Sequence, residues 1–228
     1  TIDGYSGGVG NLFVAGVDNF IKSNALTSLS LSNSAANSLI TIGNNTATTL
    51  ALTLNKLGAG SQVFIDGGTA GKYNTLNITT TGSDSSANIT GTGVTALTLS
   101  GSNALDLTGS NLAALKTVTV SGSAGLTLNA SGATVTDVNA SGTSGNVTVT
   151  IDATKATYEG GTGVDKVTTS AAAPSKAISL GDGNDTLTLA NGTNAVTGAI
   201  SGGNGTDTLS MVAADAVTAS LTNTFATK

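Results

Sequence analysis

Three short strings hold the residues best suited to chemistry: GGTGVDKVT at 160–168, LGDGNDTLT at 180–188 and GGNGTDTLS at 202–210. Each places glycines around a tight turn, then an Asp, then a β-branched or Leu residue that starts an apolar alternation. Glycine opens backbone angles closed to other residues, so such turns can aim carbonyls inward. The Asp that follows adds a carboxylate. Carbonyl and carboxylate oxygens together suit a hard cation such as Ca²⁺. The candidate ligating loops are therefore Gly160, Gly161, Gly163 and Asp165; Gly181, Asp182, Gly183 and Asp185; and Gly202, Gly203, Gly205 and Asp207. Within them, Asp182 sits at a variable position and is a weaker candidate, while Asn184 and Asn204 read as turn supports.

These loops need elements that bring them together, and the spacing of the rest of the chain supplies them. Short alternating strings recur about 20 residues apart: LNIT (76–79), ALTL (96–99), TVTV (117–120), TDVN (136–139), TYEG (157–160), AISL (177–180) and AISG (199–202). A second set interleaves: NIT (88–90), LDLT (105–108), LTLN (126–129), VTVT (147–150), KVTT (166–169), TLTL (186–189) and TLSM (208–211). Gly, Asn, Ser and Asp separate them as turn residues. Two strands per period, repeated at this length, predict an all-β chain wound as a parallel β-solenoid (β-roll or β-helix) of about 20 residues per turn. Its calcium-binding side lies near the C-terminus. Leu97, Val118, Val138 and Ile178 would stack as one interior ladder, and Leu107, Leu128, Val149, Val167, Leu187 and Leu209 as another. Residues 26–228 read as solenoid, with the calcium loops at 160–210, and residues 1–25 as an irregular cap. Rough helical spacing of Leu12, Val17, Phe20 and Ile21 suggests a short helix or cap over 11–23.

Composition narrows the function classes. Among 228 residues there is no His, Cys or Trp, and the net charge is −5. All acids but Glu159 are Asp, and every base is Lys. Without His or Cys there is no Ser-His-Asp or Cys-His arrangement and no ordinary zinc site. Tyr5, Tyr73 and Tyr158 are too few to build sugar-binding platforms, so the chain reads as a non-enzyme. The absence of Arg and of basic patches argues against nucleic acid as a partner. No apolar run is long enough to span a bilayer. The chain begins at Thr1 without Met or a signal sequence, which reads as a processed chain or a segment of a longer one.

The three strings resemble the GGxGxDxUx nonapeptide of the RTX calcium-binding β-roll family. GGTGVDKVT and GGNGTDTLS match it throughout, and LGDGNDTLT departs only at Leu180. The resemblance implies calcium between equivalent loops of successive turns: one ion between 160–165 and 180–185, another between 180–185 and 202–207. The opposite side, AAAPSKA (171–177) and NGTNAVT (191–197), lacks the motif, so the likeness is to a one-sided β-roll. Two degenerate copies, GGVGNLFV (7–14) and GGTAGKYNTLNI (67–78), read as glycine corners or weak calcium loops. The Thr/Ser/Gly texture of 96–132 running into these loops resembles bacterial surface-layer proteins of the S-layer-RTX kind. That resemblance implies type I secretion, an extracellular or bacterial cell-surface location, and calcium-dependent self-assembly into a lattice, sheet or fibre of a surface layer or biofilm matrix. Cell-surface polysaccharide is a further candidate partner. The alternative is an RTX adhesin stalk, or the carrier region of a larger secreted protein.

Overall fold

The computed structural model describes residues 2–3, 18–23, 25–67, 70–132, 134–170, 174–190 and 196–212. These are all-β, with parallel strands wound as a β-solenoid of about 21 residues per turn and no helix among them. None of the described segments is a helix long and apolar enough to cross a membrane. The chain divides into two units, residues 1–115 and 116–228.

In the first unit the strands are β1 (Ile2–Asp3), β2 (Asp18–Lys22), β3 (Ser28–Ser32), β4 (Leu39–Gly43), β5 (Thr49–Asn55), β6 (Ser61–Phe64), β7 (Thr75–Thr80), β8 (Ser85–Thr90), β9 (Ala96–Gly101) and β10 (Leu105–Asp106). Each turn gives one strand to each of two sheets, ordered β1-β2-β4-β6-β8-β10 and β3-β5-β7-β9. Alternation drives this arrangement. In TLALTLN of β5, Leu50, Leu52 and Leu54 point inward and are almost fully buried. The residues between them face outward. Register stacks Leu29 on Leu52, Leu52 on Ile78 and Ile78 on Leu99. Each buried Leu or Ile contributes roughly 1.5–3 kcal/mol. Tyr73 is fully buried and donates its hydroxyl to the Leu26 carbonyl at 2.7 Å. Burial pushes its pKa up to about 12.

The helical spacing expected over 11–23 is not what residues 18–22 adopt. They form β2, which pairs in parallel with β1 and with β4. Ile21 aligns with Ile42, and the gain from stacking in register outweighs a weak local helical pattern. Residues 11–17 and the degenerate copy at 7–14 lie outside the described residues.

The second unit has β11 (Thr117–Gly122), β12 (Leu126–Ala130), β13 (Asp137–Thr143), β14 (Val147–Ile151), β15 (Thr157–Glu159), β16 (Lys166–Thr169), β17 (Ile178–Ser179), β18 (Thr186–Thr188), β19 (Ile200–Ser201) and β20 (Thr208–Ser210). One sheet runs β12-β14-β16-β18-β20, the other β11-β13-β15-β17-β19. The ladder Leu128, Val149, Val167, Leu187, Leu209 forms in the expected order. On the other wall Val118, Val138, Tyr158, Ile178 and Ile200 stack, with Tyr158 taking a rung that the spacing also assigns to an inward residue. The strands shorten from five residues in β14 to three in β18 and β20. Glycine turns take up the remainder of each winding.

Candidate cation site: an acidic ladder

The register of β14, β16, β18 and β20 decides where the three Asp residues stand. Val149, Val167, Leu187 and Leu209 are aligned, so the residues two places earlier form their own column: Val147, Asp165, Asp185 and Asp207. Rungs of a parallel sheet are about 4.8 Å apart. Three carboxylates therefore stack at one corner of the second unit.

Each carboxylate performs a structural task. The Asp165 Oδ1 accepts the Val147 N–H at 2.9 Å, the Asp185 Oδ1 accepts the Asp165 N–H at 2.7 Å, and the Asp207 Oδ1 accepts the Asp185 N–H at 3.1 Å. The acid of one turn thus caps the backbone of the turn before it. One position earlier, amide side chains cap in the opposite sense, each accepting from the turn that follows. The Asn146 Oδ1 accepts the Val164 N–H at 2.9 Å and the Asn184 Oδ1 accepts the Thr206 N–H at 2.8 Å.

The second oxygen of each Asp distinguishes the rungs. Asp165 is fully buried, and its Oδ2 accepts the Tyr158 hydroxyl at 2.8 Å. Asp185 is only 1% exposed, and its Oδ2 is buried with no hydrogen-bond partner. Asp207 lies exposed on the last described turn. An orphaned carboxylate oxygen in a dry site costs considerable free energy unless a proton or cation joins it. Burial, with the negative charges of Asp165, Asp207 and Asp182, pushes the Asp185 carboxyl up to about 6, against the lowering effect of the Asp165 N–H. Burial also raises Asp165, opposed by its bonds from Tyr158, Val147 and Gly161. Tyr158 is held well above the usual phenol range by burial first and by Asp165 second.

The glycines supply clearance as well as turn geometry. Gly181 and Gly203 adopt φ of +95° and +92°. The equivalent Gly161 is not in the left-handed region, yet a Cβ there would collide with the Thr143 carbonyl. Turns pass so closely that only hydrogen fits between them. The carbonyls are partly committed. The Gly161 oxygen accepts the Asp182 N–H at 2.7 Å, the Gly181 oxygen accepts the Asn204 N–H at 3.2 Å, and the Asn204 oxygen accepts the Gly183 N–H at 2.8 Å.

Of the residues expected to bind a cation, the structure brings Asp165, Asp185 and Asp207 into one column and stacks the glycines Gly161, Gly181 and Gly203 beside it. Gly163, Gly183 and Gly205 form a second stack, while Gly160 and Gly202 lie against the Oδ2 of Asp165 and Asp207 respectively. The corresponding position of the middle copy is Leu180, buried at 2% exposure. Asp182 stands outside the column, exposed, accepting the Asn204 side-chain amide at 2.8 Å. Asn184 supports the turn as its place in the string suggests. Among the described residues of the degenerate copy at 67–78, Asn74 is exposed just before β7 and pairs through its backbone with Thr48 and Thr95. Neighbouring Asp66 caps the Gly71 and Thr92 amides.

Among the described residues no three Asp, Glu, His or Cys side chains group closely enough to hold a metal by themselves. A cation here would rest on Asp185 and draw the remainder of its shell from backbone carbonyls and water, which suits Ca²⁺ better than a transition metal. The orphaned Oδ2 fits such an ion; the fully occupied Asp165 carboxylate does not call for one. Two residues escape the motif. Tyr158, seven places before Asp165, was legible only as an inward rung between Val138 and Ile178. Asn146 precedes Val164 by one short turn, outside any glycine string. Comparison of the chain with protein-family models, with curated proteins and with solved structures found no match.

Proposed function

We propose that the chain is a structural, non-enzymatic segment of an extracellular bacterial surface-layer or matrix protein, ordered by Ca²⁺ at the acidic ladder and self-associating once ordered. The observation that carries this reading is the buried, unpartnered Asp185 Oδ2 in a column of stacked acids. Calcium would neutralise the column and satisfy that oxygen. The chain's own residues do the rest. Val147, Asp165 and Asp185 offer their N–H groups to hold each carboxylate in line. The glycine stack keeps the turns close, and Leu187 and Val167 seal the floor beneath. Outward faces rich in Thr, Ser and Asn, as in Thr117 and Thr119 of β11 or Ser28 and Ser30 of β3, are uncharged. They carry little charge, which suits close lateral packing between copies. Extracellular modules bind calcium in the ~10⁻⁴–10⁻³ M range, so secretion would switch the ladder from its metal-free to its loaded state.

The test is negative-stain microscopy and circular dichroism of the purified chain in millimolar calcium, before and after excess chelator. Sheets or filaments that dissolve on chelation are the expected result. A rod that orders with calcium but never assembles would favour an adhesin stalk or carrier segment. No response in the native chain, or an unchanged response in Asp185→Asn, would overturn the calcium reading.

A further inference from the structure

Each ladder Asp has a partner position seven residues earlier on the opposite wall: Tyr158 for Asp165, Ile178 for Asp185 and Ile200 for Asp207. The three wall residues are register neighbours in β15, β17 and β19. At the first rung the wall residue carries a hydroxyl, and that hydroxyl donates to the Asp165 Oδ2. At the second the wall residue is the hydrocarbon Ile178, and the Asp185 Oδ2 has no partner. Both carboxylates are almost completely buried, at 0% and 1% exposure. Surface exposure therefore does not separate them, although Asp165 is set deeper among protein atoms than Asp185; the wall residue does.

We propose that Tyr158 is a built-in plug: its hydroxyl fills the place that a cation would take at Asp165, so the described ladder takes one divalent cation, at Asp185, where repeat counting gives two. This rests on the calcium reading above and refines it. A phenol suits the role. It delivers a hydrogen-bond donor to a buried acid without adding charge. Its ring also fills the core rung that Val138 and Ile178 occupy in adjacent turns. The plug closes the base of the acidic column against the apolar turns below, where Val147 and then Leu126 hold the same column.

Calcium titrations by calorimetry, with ion counting by native mass spectrometry, test this on the whole chain. We expect one ion in the native chain, two in Tyr158→Phe, whose Asp165 loses its donor, and none in Ile178→Tyr, which brings a hydroxyl to Asp185. Two ions in the native chain would overturn the plug and leave the calcium reading standing. No ion in the native chain would overturn the calcium reading itself. One ion in both native and Tyr158→Phe would show that the phenol does not set the count. The native count stands even if a variant fails to fold.

Discussion

The two units solve one problem with different chemistry. Backbone N–H groups that the strand ladders leave unpaired must find acceptors in the neighbouring turn. In the first unit hydroxyls of the following turn supply the interior acceptors, the Leu57 N–H donating to the Ser85 Oγ at 3.1 Å and the Ile89 N–H to the Ser110 Oγ at 2.9 Å, while its capping acids, Asp66 and Asp84, stand outside the core. In the second unit Asp165, Asp185 and Asp207 take that place. The fold therefore requires an acceptor and does not require a charge. A serine does the work without a second oxygen left over and without like charges stacked about 4.8 Å apart. The acids add an electrostatic cost that the winding itself does not explain, and that cost is what makes a bound cation plausible chemistry there.

The comparison can be broken most forcefully at Tyr158. Tyr158→Ala removes a fully buried ring and strips Asp165 of its donor, at about 4 kcal/mol. Hydrogen exchange should show the loss in residues 116–228 with protection in the first unit retained, since solenoid stability is close to a sum of local terms. Equal loss in both units would erase the distinction.

Next comes acidity. The Asp185 carboxyl is pushed up to about 6 in the folded chain, above the value of about 3.9 expected unfolded. The folded state therefore holds the proton more tightly. The stability this contributes is complete below about pH 4 and is lost as pH rises through about 6. Without calcium, the second unit should be more stable at about pH 4 than at about pH 7 by on the order of 2 kcal/mol, read by thermal melts or hydrogen exchange. The first unit, which has no buried carboxylate among its described residues, should lack this step. Asp185→Asn keeps an acceptor and removes the charge. It should raise metal-free stability at neutral pH by about 1–2 kcal/mol and abolish the step; a loss of stability would contradict the orphaned-carboxylate account.

Smaller effects sharpen the contrast. Ser85→Ala in the first unit should cost about 1 kcal/mol from the uncapped Leu57 amide, equally with or without calcium and at either pH. A calcium-dependent cost there would mean that the two kinds of corner are not independent. Thr79→Ala on an outward face of β7, where the hydroxyl meets only the Ser100 Oγ at 3.3 Å, should stay within about 0.5 kcal/mol. Denaturation midpoints would resolve it.

Much of the architecture was legible because alternation and spacing are properties of the chain alone. TVTV, VTVT and TLTL could bury one face only as strands, and their recurrence about 20 residues apart could be satisfied only by winding. The region before residue 26 was read less well. Phe20 and Ile21 of DNFIK continue a rough helical spacing from Leu12 and Val17, yet the segment became β2 because β4 offers a partner in register. At the site, the stacking of Asp165, Asp185 and Asp207 follows from equal offsets, but their separate fates do not. All three follow glycines and precede strand residues, yet one is plugged, one orphaned and one exposed.

The amino-acid sequence on its own determined the winding, the inward ladders and the column of acids, because each depends on periodicity along one dimension. Only the tertiary structure decided which carboxylate oxygen has a partner. That depends on what the opposite wall presents across the core: Tyr158 donates to Asp165, while Ile178 has no hydrogen to give to Asp185. A hydrogen bond across the core is a matter of distance and direction between two walls, and no spacing along the chain states it.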